Sequence, residues 1–127
     1  MDPEGIIKVS SLDKTWIFDL DGTIVKHNGY LIDGHDTLLD NAKVFLDEIP
    51  ETDFILILTA RGHGYREDTV EFLRKEAIRY DHILFNLPQG ERILVNDKKP
   101  LGLLTAIAVN TVRNEFLDAR FEIDEDL

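Results

Sequence analysis

Two aspartates one residue apart, Asp19 and Asp21, close the apolar stretch WIFDLDGT and are followed at once by Gly22 and Thr23. Carboxylates this close repel, which raises a pKa or calls for a cation between them. Mg²⁺ answers that need, because it favours a few carboxylates, water and a substrate phosphate in an octahedral shell. With the charge conflict removed, a carboxylate can attack phosphorus, as in enzymes that form an aspartyl-phosphate. Two further polar groups stand directly after apolar runs. Thr59-Ala60-Arg61 follows FILIL, and Asn96-Asp97-Lys98-Lys99 follows RILV, where Asp97 would bring a third oxygen to a metal.

The elements that must position these groups are short apolar runs alternating with helical patterns. Strands are expected at Trp16–Leu20, at FILIL (54–58), at HILF (82–85) and at RILV (92–95). TAIAVNTV (105–112) reads as a fifth strand, with a helix as the alternative. The Asn28-Gly29 pair in IVKHNGYLI reads as a two-residue hairpin turn. Asp36 or Thr37 can cap a helix over about 37–48, and a second helix fits about 65–79. Such alternation predicts crossover connections and a mainly parallel sheet, with ligands beyond the carboxyl ends of its strands. The unusual polar residues fall at those ends. FEIDEDL at the C-terminus reads as an acidic, frayed tail over about 118–127.

The DxDGT stretch, in register with the strand-end Thr59 and the acidic Asp97, resembles the haloacid dehalogenase superfamily of phosphohydrolases over roughly residues 14–100. The resemblance implies a three-layer Rossmann-like α/β fold, one domain over 1–127, with a parallel sheet of about five strands and a small hairpin flap. It makes Asp19 the nucleophile. Asp21 becomes the proton donor to the leaving group, and its backbone carbonyl a metal ligand. Thr59 would bind the transferring phosphoryl group, and Asp97 would anchor Mg²⁺. Gly22, Thr23, Ala60 and Arg61 would lie along the substrate phosphate. Arg61, with His63 and Arg66 near the start of the second helix, also suits an anion on electrostatic grounds.

The chain departs from the superfamily pattern in two places. Leu87, in FNLP, stands where a lysine that neutralises the phosphoryl oxygens is looked for. Lys98 is the first substitute, with Lys99 its near rival and Lys75, late in the second helix, a third. Asn96 stands where many members carry a second acid, which removes one charge from the metal site. No insertion is long enough for a cap: residues 24–53 and 62–81 are taken up by the elements above. The resemblance is therefore to the capless branch, whose open sites admit bulky substrates or are covered by a neighbouring subunit.

Composition narrows the partners. The 127 residues carry a formal charge of −11, which opposes non-specific binding to nucleic acid or anionic membranes. With no cysteine, disulfides and thiolate metal sites are excluded. No basic segment precedes a long apolar run, and no stretch approaches the roughly 20 apolar residues of a membrane span. The expectation is a cytoplasmic, Mg²⁺-dependent phosphate monoester hydrolase acting on a small phosphorylated metabolite such as a sugar phosphate. Homo-oligomerisation is open, and nucleic acid is not the expected partner. Two alternatives stand beside it: a catalytically weak domain that binds a phosphorylated ligand, and a nucleic-acid end phosphatase.

Overall fold

A computed structural model describes residues 5–127; the first four residues of the N-terminal stretch searched for a leader lie outside the described residues. The chain divides into two compact units, described separately.

The larger unit comprises Asp13–Gln89 and Thr111–Leu117. Its centre is a parallel three-stranded sheet of β2 (Thr15–Asp19), β3 (Phe54–Leu58) and β4 (His82–Leu84), in that order. Phe18 pairs with Ile57 and Asp19 with Leu58, while Leu58 pairs with Leu84. FILIL forms the middle strand of this sheet; the face that holds Phe54, 46% exposed, is less covered than the opposite face, where Ile55 and Ile57 are fully buried. They pack with Leu20, Ile24, Val25, Leu46 and Leu73 in one apolar core. An aromatic cluster closes one side. Phe18 stacks on Trp16 and on Phe116, whose ring also meets Phe45 edge-on at 5.4 Å.

Helix α2 (Ala42–Glu48) and helix α3 (Arg66–Lys75), the latter preceded by a 3₁₀ turn at His63–Tyr65, connect the strands. α3 carries Glu67 and Asp68 in its first turn and Arg74 and Lys75 in its last, complementing its dipole. α2 starts five residues later than its periodicity predicts. Residues 37–39 run extended instead: Lys26 donates its backbone N–H to Thr37, Leu39 donates to Ile24, and Val25 bridges Leu38. Asp36 therefore caps nothing; the residue before the helix is Asn41, in the left-handed region.

The hairpin expected at Asn28-Gly29 is also absent. Asn28 takes φ 56° and opens a single helical turn, α1 (Gly29–Ile32), in which Ile32 and Asp33 donate to the carbonyls of Asn28 and Gly29. An Asn-Gly pair suits a primed turn and a left-handed helix entry equally. A Lys26–Asp33 ion pair at 2.8 Å closes the loop.

The smaller unit comprises Met1–Leu12, Gly90–Asn110 and Asp118–Leu127. Here β1 (Ile6–Val9) pairs in parallel with β5 (Arg120–Ile123), and Lys8 meets Glu122 at 3.1 Å. The C-terminal segment expected to fray is thus held as a strand. RILV (92–95) is no strand, and TAIAVNTV (105–112) is neither strand nor helix. Ile93 and Val95 are 86% and 88% exposed, so the run has apolar character without the ladder that a strand requires. Among the described residues the strands thus form a three-stranded sheet and a separate pair, not the single sheet expected. Among the described residues no helix is long and apolar enough to cross a membrane.

Candidate functional site

The C-terminal tips of β2 and β3 are neighbours in the larger unit, and the polar residues singled out there meet. β2 ends on the half-buried Asp19. The chain then closes a tight turn: the backbone N–H groups of Ile24 and Val25 donate to the Leu20 carbonyl, and that of Gly22 donates to Val25. Gly22 sits at φ +80°, where a side chain is strained, so the turn demands glycine. A second segment braces it. The Asn114 N–H donates to the Gly22 carbonyl at 2.9 Å, and the Asn114 side-chain oxygen accepts from the His27 N–H.

β3 delivers Thr59 beside this turn. Thr59 is fully buried, and its Oγ1 donates to Asp21 Oδ2 at 2.9 Å while accepting from the Arg61 N–H. The Thr59 carbonyl accepts from the backbone of Leu87, the residue in the place of the missing lysine. Leu87 brings no charge there.

Arg61 is almost wholly buried and all five of its N–H donors are occupied. Nε and Nη2 donate to Asp21 Oδ1 at 3.1 and 2.8 Å. Nη2 and Nη1 donate to the two oxygens of Asp36 at 2.7 and 2.9 Å, and Nη1 reaches Thr69 Oγ1 at 2.9 Å. The Tyr30 ring lies across the guanidinium, 3.8 Å away, and Tyr65 packs edge-on against Tyr30. Burial alone would draw the Arg61 pKa down. Its hydrogen bonds to Asp36 and Asp21, with the charges of those carboxylates, outweigh it and hold the group above its ordinary range. Burial, and after it the charge of Asp21, likewise hold the Tyr30 hydroxyl above its ordinary value.

Asp19, Asp21, Gly22, Thr23, Thr59, Ala60 and Arg61 thus share one edge of one unit. Arg61, expected on the substrate phosphate, gives its donors to protein carboxylates. Asp36 and Tyr30 complete the network. Asp36 was expected only as a helix cap, because nothing in sequence links it to an arginine 25 positions later. His63 and Arg66 are exposed, and Arg66 lies over the Phe85 ring. Asp97, Lys98 and Lys99 belong to the smaller unit, exposed in a segment without regular structure. Asn96 there binds Thr105, its Nδ2 donating to Oγ1 at 2.9 Å. Lys75 ends α3 and is exposed.

Among the described residues no three or more His, Asp or Glu side chains cluster as a metal site. The Asp21 carboxylate is held by Arg61 and Thr59; the Asp19 carboxylate and the main-chain carbonyls of this turn are all hard oxygen donors. That hard-oxygen set fits Mg²⁺, which keeps several waters and takes only one or two protein carboxylates.

No family model matches the chain, and no curated protein does. Solved structures resemble it, among them two with the following likeness. One is a chain of the Pnkp1/Rnl/Hen1 complex, 31% identical with a TM-score of 0.51, covering 67% of this chain and 32% of that one. The other is a chain of the Pnkp1/Rnl/Hen1 RNA repair complex, 30% identical with a TM-score of 0.51, covering 68% of this chain and 30% of that one. The present chain spans about a third of the length of the chains it resembles.

Proposed function

We propose that the chain is a haloacid-dehalogenase-type phosphate monoester hydrolase whose substrate is the terminal phosphate of an RNA. The observation that carries the chemistry is the convergence of Asp19, Asp21 and Thr59 at two adjacent parallel strand tips, with the Asp21 carboxylate held in place. The observation that favours RNA over a sugar phosphate is the likeness, at 30–31% identity, to chains of an RNA repair complex. The formal charge of −11 opposes non-specific polyanion binding. A terminal phosphate needs only local cations, and the larger unit carries two candidates. Arg66 begins α3, and the Arg113 side chain packs beside Gly22, 3.4 Å from where a Cβ there would stand.

In the reaction, an Asp19 carboxylate oxygen bonds to phosphorus as the phosphorus–oxygen bond to the leaving alcohol breaks. In the role the resemblance gives it, Asp21 passes a proton to that oxygen, for which its carboxyl must turn from the Thr59 and Arg61 donors that hold it here. Water then attacks the aspartyl-phosphate at phosphorus, Asp21 takes the water's proton, and inorganic phosphate leaves with Asp19 restored. Mg²⁺ held by Asp19 and the main-chain carbonyl of Asp21 would supply charge neutralisation for the nucleophile and the phosphoryl oxygens. Thr59 contributes a hydroxyl at the same edge.

The test is phosphate release from an oligoribonucleotide with a terminal phosphate, set beside a panel of sugar phosphates, with Mg²⁺ and with a chelator. Release that prefers the oligonucleotide, needs Mg²⁺ and vanishes in Asp19→Asn supports the proposal. Turnover confined to sugar phosphates overturns the RNA assignment. Binding of the oligonucleotide without Asp19-dependent release overturns the hydrolase and leaves a binding domain.

A further inference from the structure

Two aromatic rings from separate loops stand beside Arg61. Tyr30 belongs to α1 and Tyr65 to the 3₁₀ turn before α3. The Tyr30 ring lies 3.8 Å from the Arg61 guanidinium. Tyr65 meets Tyr30 edge-on, with ring centres 4.9 Å apart and planes at 77°. The Tyr65 N–H donates to the Gly62 carbonyl, so the loop that carries Arg61 also fixes Tyr65. From Tyr65 the contacts thus run through Tyr30 and Arg61 to the Asp21 carboxylate, two residues from Asp19.

Tyr30 alone accounts for the covered face of Arg61, whose donors already sit on Asp21, Asp36 and Thr69. Tyr65 stays 42% exposed, and among the described residues Tyr30 is its one ring partner. In an edge-on pair one ring gives its edge and the other its face. Whichever part Tyr65 takes, at least one of its faces is left uncovered by Tyr30. A partly exposed π surface beside a site for phosphate chemistry suits a second flat π system. His63 and Arg66, both exposed, flank it in the chain, and aromatics set among cations are the composition of single-strand sites. The net charge of −11 repels a polyanion at long range, whereas a base stacks on an aromatic ring without drawing on charge. An acidic protein that binds a nucleotide end gains most from such a neutral contact.

We propose that Tyr65 is a base-stacking residue: its ring receives the nucleobase of the nucleotide whose phosphate enters the site. The assignment rests on the proposed hydrolase reading and deepens it, by naming what the protein holds beyond the phosphate. No bond is made or broken at Tyr65; the contact adds affinity and leaves the chemistry to Asp19. Every base has a π face, so the contact favours nucleotides over sugar phosphates without selecting among bases.

The experiment uses two oligoribonucleotides with the same terminal phosphate, one bearing a base on the phosphate-carrying nucleotide and one abasic there. Affinity is read by fluorescence anisotropy with a chelator present, so that binding is followed without metal-dependent turnover. KM is read separately with Mg²⁺. The wild type should bind the base-bearing strand about tenfold more tightly than the abasic one, the scale of one base stacked on an aromatic side chain. Tyr65→Ala should abolish that ratio, and Tyr65→Phe, which keeps the ring, should preserve it. The KM ratio should follow. A wild-type ratio near one, or a ratio that survives in Tyr65→Ala, overturns the proposal. So does an equal weakening of both strands in Tyr65→Ala, for Tyr65 then only steadies Tyr30 against Arg61. Loss of the ratio in Tyr65→Phe also overturns it, because the contact then belongs to the hydroxyl. A mononucleotide with the same base separates the sources of that base. A lower Tyr65-dependent KM for the oligonucleotide places it at an RNA end, and an equal one places it on a free nucleotide; both support the stacking contact. Failure of the hydrolase reading looks different: no phosphate is released in an Asp19-dependent way, while the binding ratio still answers to Tyr65.

Discussion

Thr59 Oγ1 donates its proton to Asp21 Oδ2 across 2.9 Å, so the hydroxyl that the sequence assigns to a phosphoryl oxygen is turned toward the neighbouring acid. The two roles are compatible in sequence. A hydroxyl has one proton and rotates. It can serve Asp21 before substrate arrives and the phosphoryl oxygens afterwards.

That double duty makes Thr59 sensitive to the hydroxyl and not to the methyl. Thr59→Ser keeps the donor and should retain kcat within a few fold. Thr59→Val keeps the shape, removes the donor and should lower kcat by about 10²-fold, the usual loss for one preorganised donor. Phosphate release under saturating substrate measures both. Similar rates for Thr59→Val and the wild type would show that Thr59 is an ordinary buried strand-end residue.

How much of this could be read beforehand varies with what each feature depends on. β2, β3 and β4 were legible because each lies in a short, β-prone apolar run, and FILIL is continuously apolar. The α3 helix was legible from its apolar side, Val70, Phe72 and Leu73, set among Arg and Glu. RILV has the same local character as FILIL and forms no strand, because strand formation also needs a hydrogen-bonded neighbour that no local pattern specifies. The start of α2 was misplaced for a related reason: a long-range ladder between residues 24–26 and 37–39 overrides helical periodicity. At the site, the spacing of Asp19 and Asp21 announced itself. The pairing of Asp36 with Arg61 did not, since it depends on a loop returning to the strand tips.

Trp16 offers an optical reading of the opposite end of β2. It is the chain's single tryptophan, and its Nε1 donates to Asp53 Oδ2 at 2.9 Å. The other Asp53 oxygen accepts the Lys14 N–H at 3.0 Å, and Asp53 is buried. Asp53→Ala takes the acceptor from both donors. An unsatisfied buried polar group costs about 1–3 kcal/mol, so the urea midpoint followed by Trp16 fluorescence should fall with little change in slope. Asp53→Asn keeps one acceptor and should lose less. A midpoint unmoved in Asp53→Ala would mean that the two donors find other partners.

Asp97 and Lys98 set the last test, because their assignment rests on the resemblance. Asn96, which could have oriented Asp97, is occupied otherwise: its side chain binds Thr105, and Thr105 Oγ1 donates to the Asp97 carbonyl at 2.5 Å. The bonds of this loop therefore fix the main chain at Asp97. If the Asp97 carboxylate anchors the metal, Asp97→Asn should raise the Mg²⁺ concentration for half-maximal phosphate release about tenfold or more, since weakening a metal's ligand shell has effects of that size. Excess Mg²⁺ should restore most of the rate. Lys98 would act on the phosphoryl group and not on the metal, so Lys98→Ala should abolish turnover at any Mg²⁺ concentration. Lys99→Ala and Lys75→Ala separate the rivals, for only the lysine that meets the phosphoryl oxygens should show that loss. Near-normal turnover in all three lysine variants would move the neutralising charge to an arginine. Arg113, packed beside Gly22 in the same unit as Asp19, is then the residue to substitute.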